Sequence, residues 1–599
     1  MDPYGMIQEE AKIVVGLDFG TTFSGFSFLH RSCPEKIYTF YEWPSLDKVL
    51  ADSYCKTLTS LWYVRNMDSG LEEVKDWGAS ALVNYTEELK RSSSSTGCGR
   101  ALASGSEMNS LQSTGEYHCN FKLHLARLSK ISCPEVLPDR RLDTKKLIAD
   151  YLREMSILIL KELQNKFGPH IEKEDIQWCI TVPAIWEEDA KRAMTDCSEM
   201  AGLVHGILCN DRSCSPHPLK VALEPEAASI YCLMNVKDHK LSKGDKFMVV
   251  DIGGGTVDLV IHQKTGLGSS LKVKEVTCST GLVCGGTFVD NDFWEFLENE
   301  VGCLTEVAGS DSFIKLDIKK QWDSLKRSFD ELSMFDLDIP SKLAEAWEDY
   351  DSRLGIPARS SYDAIELSYD DLQKFFYPTV HKVLGLMEES FIEGLEVIMV
   401  VGGFSASPYM MKRIREKFGR RVRAIIRPPN PGSAICCGAA VLGLGEEMIM
   451  SRIAKKTYGV KVVRRFQRGD CPDYMTEDEN GDAYCCNVFG VFVRKGEEVP
   501  VNYVIKQIMS PFLGNQTRVE IELYSSNEVE PRYITDDAAE LEGKFMISIN
   551  SQSSLGTTPK IAVSMFFGRS HIQVAAKRLN CGDIEELSML PVRFSRDLV

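Results

Sequence analysis

The chain has 599 residues, enough for several domains with substantial buried cores. Its 69 basic side chains against 86 acidic ones leave a net charge of -17. That balance excludes a general binder of nucleic acid or anionic membrane, since both need clustered positive charge, although a local basic pocket is compatible with it.

No uncharged apolar stretch reaches membrane-spanning length; the longest, around 434–444, is short and broken by glycine. The N-terminus carries Glu9 and Glu10 and lacks a charged-then-apolar secretory signal. None of the 19 cysteines forms a Cys-x-x-Cys pair, and the adjacent pairs Cys436–Cys437 and Cys485–Cys486 could hardly bridge internally without strain. Together these features predict reduced thiols and a cytoplasmic or nuclear location.

The first element is a strand, Ile13-Val-Val, running into Asp18-Phe-Gly-Thr-Thr22 and resuming as a second strand with Phe23, Phe26, Phe28 and Leu29. In a P-loop or dinucleotide fingerprint the glycine turn opens a helix. Here strand follows the turn, so a bound phosphate would sit on a hairpin. Residues 91–115, rich in Ser, Gly and Thr, predict a flexible surface loop. Phe121-Lys-Leu123 then places Lys122 in an apolar context, read either as a buried functional cation or as a snorkelling surface lysine.

Residues 144–167 carry a helical apolar stripe, and Ile176-Gln-Trp-Cys-Ile-Thr-Val182 reads as a strand closed by Pro183. Residues 187–201 predict a helix ending at Gly202. Glu224 stands at the end of another strand, just before Pro225, where α/β folds place chemistry; an exposed loop carboxylate is the plain alternative.

The segment Phe247-Met-Val-Val-Asp-Ile-Gly-Gly-Gly-Thr-Val-Asp258 repeats the first hairpin motif. Successive glycine N–H groups make an anion-binding nest, and Asp251 and Asp258 suggest a divalent cation between carboxylate and phosphate; ordinary close packing explains three glycines equally well. Gly285-Gly286 precedes an acidic, aromatic helix, and the helix at 317–330 places Asp323 and Lys326 on one face, whose simplest reading is a solvated ion pair. A third buried strand ends at Gly402-Gly403-Phe404-Ser405, and 434–445, rich in small residues, predicts a helix. After Thr457 short alternating runs at 488–493, 518–524, 544–549, 560–566, 571–574 and 591–594 predict a β-sandwich.

Asp18-Phe-Gly-Thr-Thr22, Lys122, Val182-Pro-Ala184, Glu224-Pro-Glu-Ala-Ala228, Asp251-Ile-Gly-Gly-Gly-Thr-Val-Asp258, Val401-Gly-Gly-Phe-Ser405 and Gly438-Ala-Ala-Val441 occur in an order that resembles the actin-like ATPases. Within them the chain is similar to the seventy-kilodalton heat-shock family, and Ala184-Ile-Trp186 with Ala228-Ser-Ile-Tyr-Cys232 looks like its divergent type-12 branch. The resemblance implies an α/β fold: a duplicated actin-like ATPase domain with ribonuclease-H-like halves over 11–450, then a small all-β substrate-binding-like sandwich over 457–599, with no room for a helical lid.

It further implies ATP or ADP with Mg²⁺ in a cleft. Gly20, Thr21, Thr22 and Phe23 would hold phosphate from one half, and Gly253, Gly254, Gly255 and Thr256 from the other. Asp18 and Asp251 would orient hydrated Mg²⁺. Lys122, Glu224 and Asp258 would serve catalysis by facing the γ-phosphate and positioning water. Gly285, Gly286, Asp323, Lys326, Arg327, Gly402, Gly403 and Phe404 would surround the nucleoside. The chain departs from the family pattern at Ala406, where an arginine is usual, at Gly432 in place of an aspartate, and at Asp323 in place of a glutamate. Residues 451–456 replace the familiar apolar linker.

The expected function is a slowly hydrolysing, ATP-binding chaperone-family protein with protein or peptide clients and co-chaperones. A nucleotide-gated scaffold or adaptor with negligible turnover is the alternative, and a sugar kinase a third that the β-sandwich and the segment from Val-Pro-Ala to Glu-Pro argue against.

Overall fold

The computed structural model describes residues 10–50, 53–66, 69–95, 115–126, 143–235, 241–445, 448–510, 518–548, 560–566 and 573–579, apart from positions 207, 210, 212, 269, 311, 479 and 502 and the pair 332–333. The chain separates into two compact units: Glu10–Val260 with Thr280–Glu446, and Ile261–Ser279 with Glu447–Val599.

The first unit is built on two sheets of the same plan. In one, Ile13–Asp18 pairs antiparallel with Phe23–His30 on one side and parallel with Ile176–Val182 on the other, Val15 lying opposite both Phe28 and Trp178. Phe23–His30 pairs onward with Ile37–Thr39, and Ile176–Val182 with Lys220–Leu223. The inner strands are buried along their whole length, which is why they read as continuous apolar runs rather than as alternation. In the other sheet Lys246–Ile252 lies between Val257–Lys264 and the parallel strand Leu395–Val401, with Ala424–Ile426 beyond.

Each sheet thus has a central strand, a tight turn into a neighbouring strand, and parallel strands on the other side. Because the two central strands carry Asp18 and Asp251 at or next to their last residue, the repeat puts both glycine turns at corresponding sheet ends. Helices follow the predicted places. Thr144–Phe167 begins at Asp143, whose side chain accepts from Lys145 N at 3.1 Å. Glu224–Asn235 starts at Glu224 itself, and Ala434–Leu442 is buried from Ala434 to Val441 because its small side chains let it lie against the sheet.

The loop expected from residue 91 is corrected in part. The helix Gly78–Ser95 runs through 91–95, since serine lowers helix propensity without forbidding it. The remainder, 96–114, lies outside the described residues, as does the run at 591–594.

In the second unit Ala483–Val493 and Arg518–Ser526 flank Thr457–Arg465, with Met475–Glu477 and Ala539–Ser548 at the edges. A three-stranded sheet joins Val504–Met509, Lys560–Phe566 and Gln573–Leu579. Val460, Phe492, Ile521 and Leu523 from the first sheet and Ile561, Val563 and Met565 from the second share one core.

Two features were absent from the linear reading. Ser451–Ile453, expected as linker, is a strand paired with Glu498–Pro500. Residues 261–279 form a hairpin grouped with this unit: Val273 exchanges backbone bonds with Met448 and Met450, and buried Glu275 accepts from Ile453 N at 2.6 Å.

Candidate functional site

The two turns of the first unit face a cavity of about 310 Å³, within the usual range for a small-molecule site. On one side Gly20 N donates to Ser24 Oγ at 3.1 Å, and Thr59 Oγ1 donates to Gly20 O at 2.9 Å, so the neighbouring strand holds the turn's shape. On the other, Gly253 N bonds Thr256 O at 3.0 Å, while Gly286 N and Thr287 N bond Gly253 O and Gly254 O. The turns approach so closely that a Cβ on Gly254 would lie 2.3 Å from Thr22 Oγ1. Glycine is needed there for space. Gly402 is needed for both space and geometry: its φ is +88°, and a Cβ would lie 2.3 Å from Asp251 Oδ1.

Between the turns stand two buried lysines. Lys122 is not a snorkelling surface residue: its ammonium is 2.8 Å from Glu224 Oε1, 5.5 Å from the ring centre of Trp186 and 5.9 Å from that of Phe19. Burial pushes the Glu224 carboxyl up to about 7, Lys122 opposing the rise and Asp258 and Asp18 adding to it. Lys56, immediately before the short strand Thr57–Leu58 that pairs with Phe23–Ser24, reaches Asp18 Oδ2 at 2.5 Å. Burial disfavours its ammonium, but Asp18 outweighs that and holds it well above the usual lysine range. Asp251 makes no ion pair among the described residues. Burial, then Glu224, Asp18 and Asp258, push its carboxyl well above the usual range.

At the far end of the cavity the helix Ser312–Ser328 presents Lys319, Asp323, Lys326 and Arg327. The expected Asp323–Lys326 pair is loose, at 3.9 Å. Each has a better partner: Lys319 reaches Asp323 at 2.7 Å, and Lys326 reaches Asp290 at 2.6 Å, where Trp322 Nε1 also donates. Lys319 and Lys326 hold the Asp323 carboxyl below its usual value against the opposing effect of burial. Arg327 lies over the Tyr54 ring, and the backbone of Gly402 and Gly403 with Phe404 closes this end.

Asp18, Gly20, Thr21, Thr22, Phe23, Lys122, Glu224, Asp251, Gly253, Gly254, Gly255, Thr256, Gly286, Asp323, Lys326, Arg327, Gly402, Gly403 and Phe404 therefore line one cavity. Two candidates do not. Gly285 lies behind the turn, and fully buried Asp258 accepts from Ala184 N at 2.6 Å, binding the second motif to Val-Pro-Ala. Residues the linear reading missed are Tyr54, Lys56, Thr287, Asp290, Lys319 and Ser407. None of them carried a local signal: Lys56 stands before Thr57-Leu-Thr-Ser60, a mixed run that does not distinguish it from an edge residue.

The donor set fits a polyphosphate with a cation. Among the described residues Thr22 Oγ1 is buried without a hydrogen-bond partner, both glycine turns line the cavity beside Lys56 and Lys122, and the Asp251 carboxyl lies there without an ion-pair partner.

A family model described as Hsp70 protein matches residues 144–458, just over half of the chain. The chain is also similar to heat shock 70 kDa protein 12A of Homo sapiens, at 25% identity over 95% of this chain and 90% of that protein. Heat shock 70 kDa protein 12B of Homo sapiens is 24% identical over 95% of this chain and 89% of its own length. With its mixed α/β sheets and paired nests, the chain belongs to the Hsp70 family, in the divergent type-12 branch.

Proposed function

We propose that the protein binds ATP and ADP with Mg²⁺ between the two nests, hydrolyses ATP slowly, and passes nucleotide state to its C-terminal β unit as a chaperone-family protein. The observation that carries this reading is the convergence of both nests, Lys122 and Glu224 on one cavity. Phosphoryl transfer asks mainly for positioning and charge neutralisation, and these residues supply both. Mg²⁺, when bound, would neutralise phosphate charge, keeping most of its waters and using Asp251 as its protein partner. Lys122 offers the cation that faces the terminal phosphate. Glu224, with its carboxyl near 7, is suited to orient a water and accept its proton.

The all-β sandwich reading of 457–599 is supported by the core that two sheets share, and that unit is the proposed seat of peptide or protein clients. A cytoplasmic location accords with the free thiols of every cysteine among the described residues.

A second reading, a nucleotide-gated adaptor with negligible turnover, is favoured by the ammonium of Lys56 already sitting on Asp18. Titration calorimetry with ADP and ATP in Mg²⁺, followed by single-turnover hydrolysis in wild type and Lys122→Ala, separates the readings. Slow hydrolysis that falls by roughly 10²-fold or more in the variant supports the ATPase, by analogy with the loss of one preorganised donor. Binding without turnover in either protein supports the adaptor, and absence of binding rejects both.

A further inference from the structure

We propose that Lys56 is a built-in cation of the nucleotide site, standing at Asp18 where a divalent ion would otherwise supply the charge, so that the protein holds nucleoside di- and triphosphates without divalent metal. The inference rests on the nucleotide reading of the cavity.

Four observations carry it. The Lys56 ammonium lies 2.5 Å from Asp18 Oδ2, and the two side chains are only 11% and 5% exposed. Lys56 lines the same cavity as Gly20, Thr21 and Thr22, so its charge is available to a ligand held there as well as to the aspartate. Its placement is specified by backbone pairing: Phe23 pairs with Leu58 and Ser24 with Thr57, Thr59 N bonds Thr22 O at 2.8 Å, and Thr59 Oγ1 bonds Gly20 O. The strand that follows Lys56 is thus tied to the turn the lysine serves. Finally, room is kept for the lysine stem, since a Cβ on Gly25 would lie 2.7 Å from Lys56 Cγ.

The chemistry follows from charge. An isolated Asp18 beside a polyphosphate would repel it, and a divalent ion would remove that repulsion. An ammonium held at Asp18 removes it without a metal, through a charge-assisted hydrogen bond between two buried side chains. A metal ion seeking Asp18 would first have to displace this partner. Asp251 has none, so any remaining metal preference comes from its side of the cavity.

The test is calorimetric titration of ADP into the full chain in Mg²⁺ and, separately, in EDTA, for wild type, Lys56→Met and Lys56→Arg. Wild type is expected to bind in EDTA with an affinity within about threefold of that in Mg²⁺. Lys56→Met is expected to lose roughly tenfold or more in EDTA and to recover much of it in Mg²⁺, as removal of one charged hydrogen-bond partner predicts. Lys56→Arg should bind in EDTA as wild type does.

Wild-type binding in Mg²⁺ that vanishes in EDTA overturns the inference while leaving the nucleotide reading intact. So does an equal Mg²⁺ dependence in wild type and Lys56→Met. Failure of wild type to bind ADP under either condition overturns the nucleotide reading itself. If Lys56→Met does not fold, the wild-type pair of titrations still decides.

Discussion

The two hairpin turns of the first unit carry nearly the same residues, an aspartate followed by glycines and threonine, yet they meet different electrical surroundings. Asp18 is paired with Lys56 at 2.5 Å; Asp251 has only other carboxylates and burial acting on it, with Lys56 a minor opposing influence. The duplication repeats backbone and motif, while charge is assigned by whichever side chain a neighbouring strand delivers. An equivalence drawn from motifs extends to geometry and stops short of electrostatics.

The sharpest way to break this comparison is to neutralise each aspartate. Asp18→Asn leaves the Lys56 ammonium buried without its partner and is expected to destabilise the ligand-free first unit by about 3–5 kcal/mol. Asp251→Asn removes a buried carboxyl that has no ion-pair partner among the described residues and should leave stability unchanged or raise it, while abolishing whatever gain in nucleotide affinity Mg²⁺ gives over EDTA. All eight tryptophans lie in the first unit, so denaturation followed by tryptophan fluorescence reads it directly. Equal losses in the two variants would contradict the asymmetry.

A second effect follows from protons. Glu224 has its carboxyl near 7 in the folded chain against 4.5 as an ordinary glutamate, so folding favours its protonated form. That contribution is complete below about pH 4.5 and is lost as pH rises towards about 7; it is worth at most on the order of 3 kcal/mol. Asp251 is shifted in the same direction. The tryptophan-reported melting temperature of ligand-free protein should therefore fall between pH 5 and pH 8, and Glu224→Gln should flatten the slope.

The second unit should respond at lower pH and with the opposite sign. Asp470 is completely buried as a side chain, receives two hydrogen bonds from Arg464 at 2.7 and 2.8 Å, and is bonded further by Gln467 N and Arg532. Chiefly through Arg464, these hold its carboxyl far below the usual range. The stability it contributes is present above about pH 4 and lost as pH falls below it. Acid titration followed by far-ultraviolet circular dichroism should show a β-rich transition below pH 4, and Asp470→Asn should remove its dependence on pH. This is the smallest of the expected effects.

Much of the site was legible because its signals are local. A buried strand ending in aspartate, glycines and threonine is visible within a few residues, and so is the glycine pair at Gly402, whereas Glu224 was separated from an exposed loop carboxylate only by the order of motifs along the chain. Asp258 does not line the cavity, which the sequence could not foretell, because a carboxylate one strand-residue beyond a nest gives no sign of which way it faces; in the fold it accepts from Ala184 N. The Asp323–Lys326 pair was read correctly as far as spacing goes, but not the stronger partner of each. Spacing put both on one helix face, but a second helix brought Asp290 to Lys326. In the second unit, periodicity found the strands, whereas the grouping of 261–279 with it depends on backbone bonds to residues more than 170 positions away.

By itself, the sequence determined the two-sheet duplication, the strand-turn-strand form of both nests, and the family to which they belong, because strand burial and glycine turns are written in adjacent residues. Tertiary structure alone decided which aspartate has a cation, since Lys56 reaches Asp18 only through the register of a strand 38 residues along the chain. Charge in a buried site depends on distance through space, and distance is what a linear pattern does not contain.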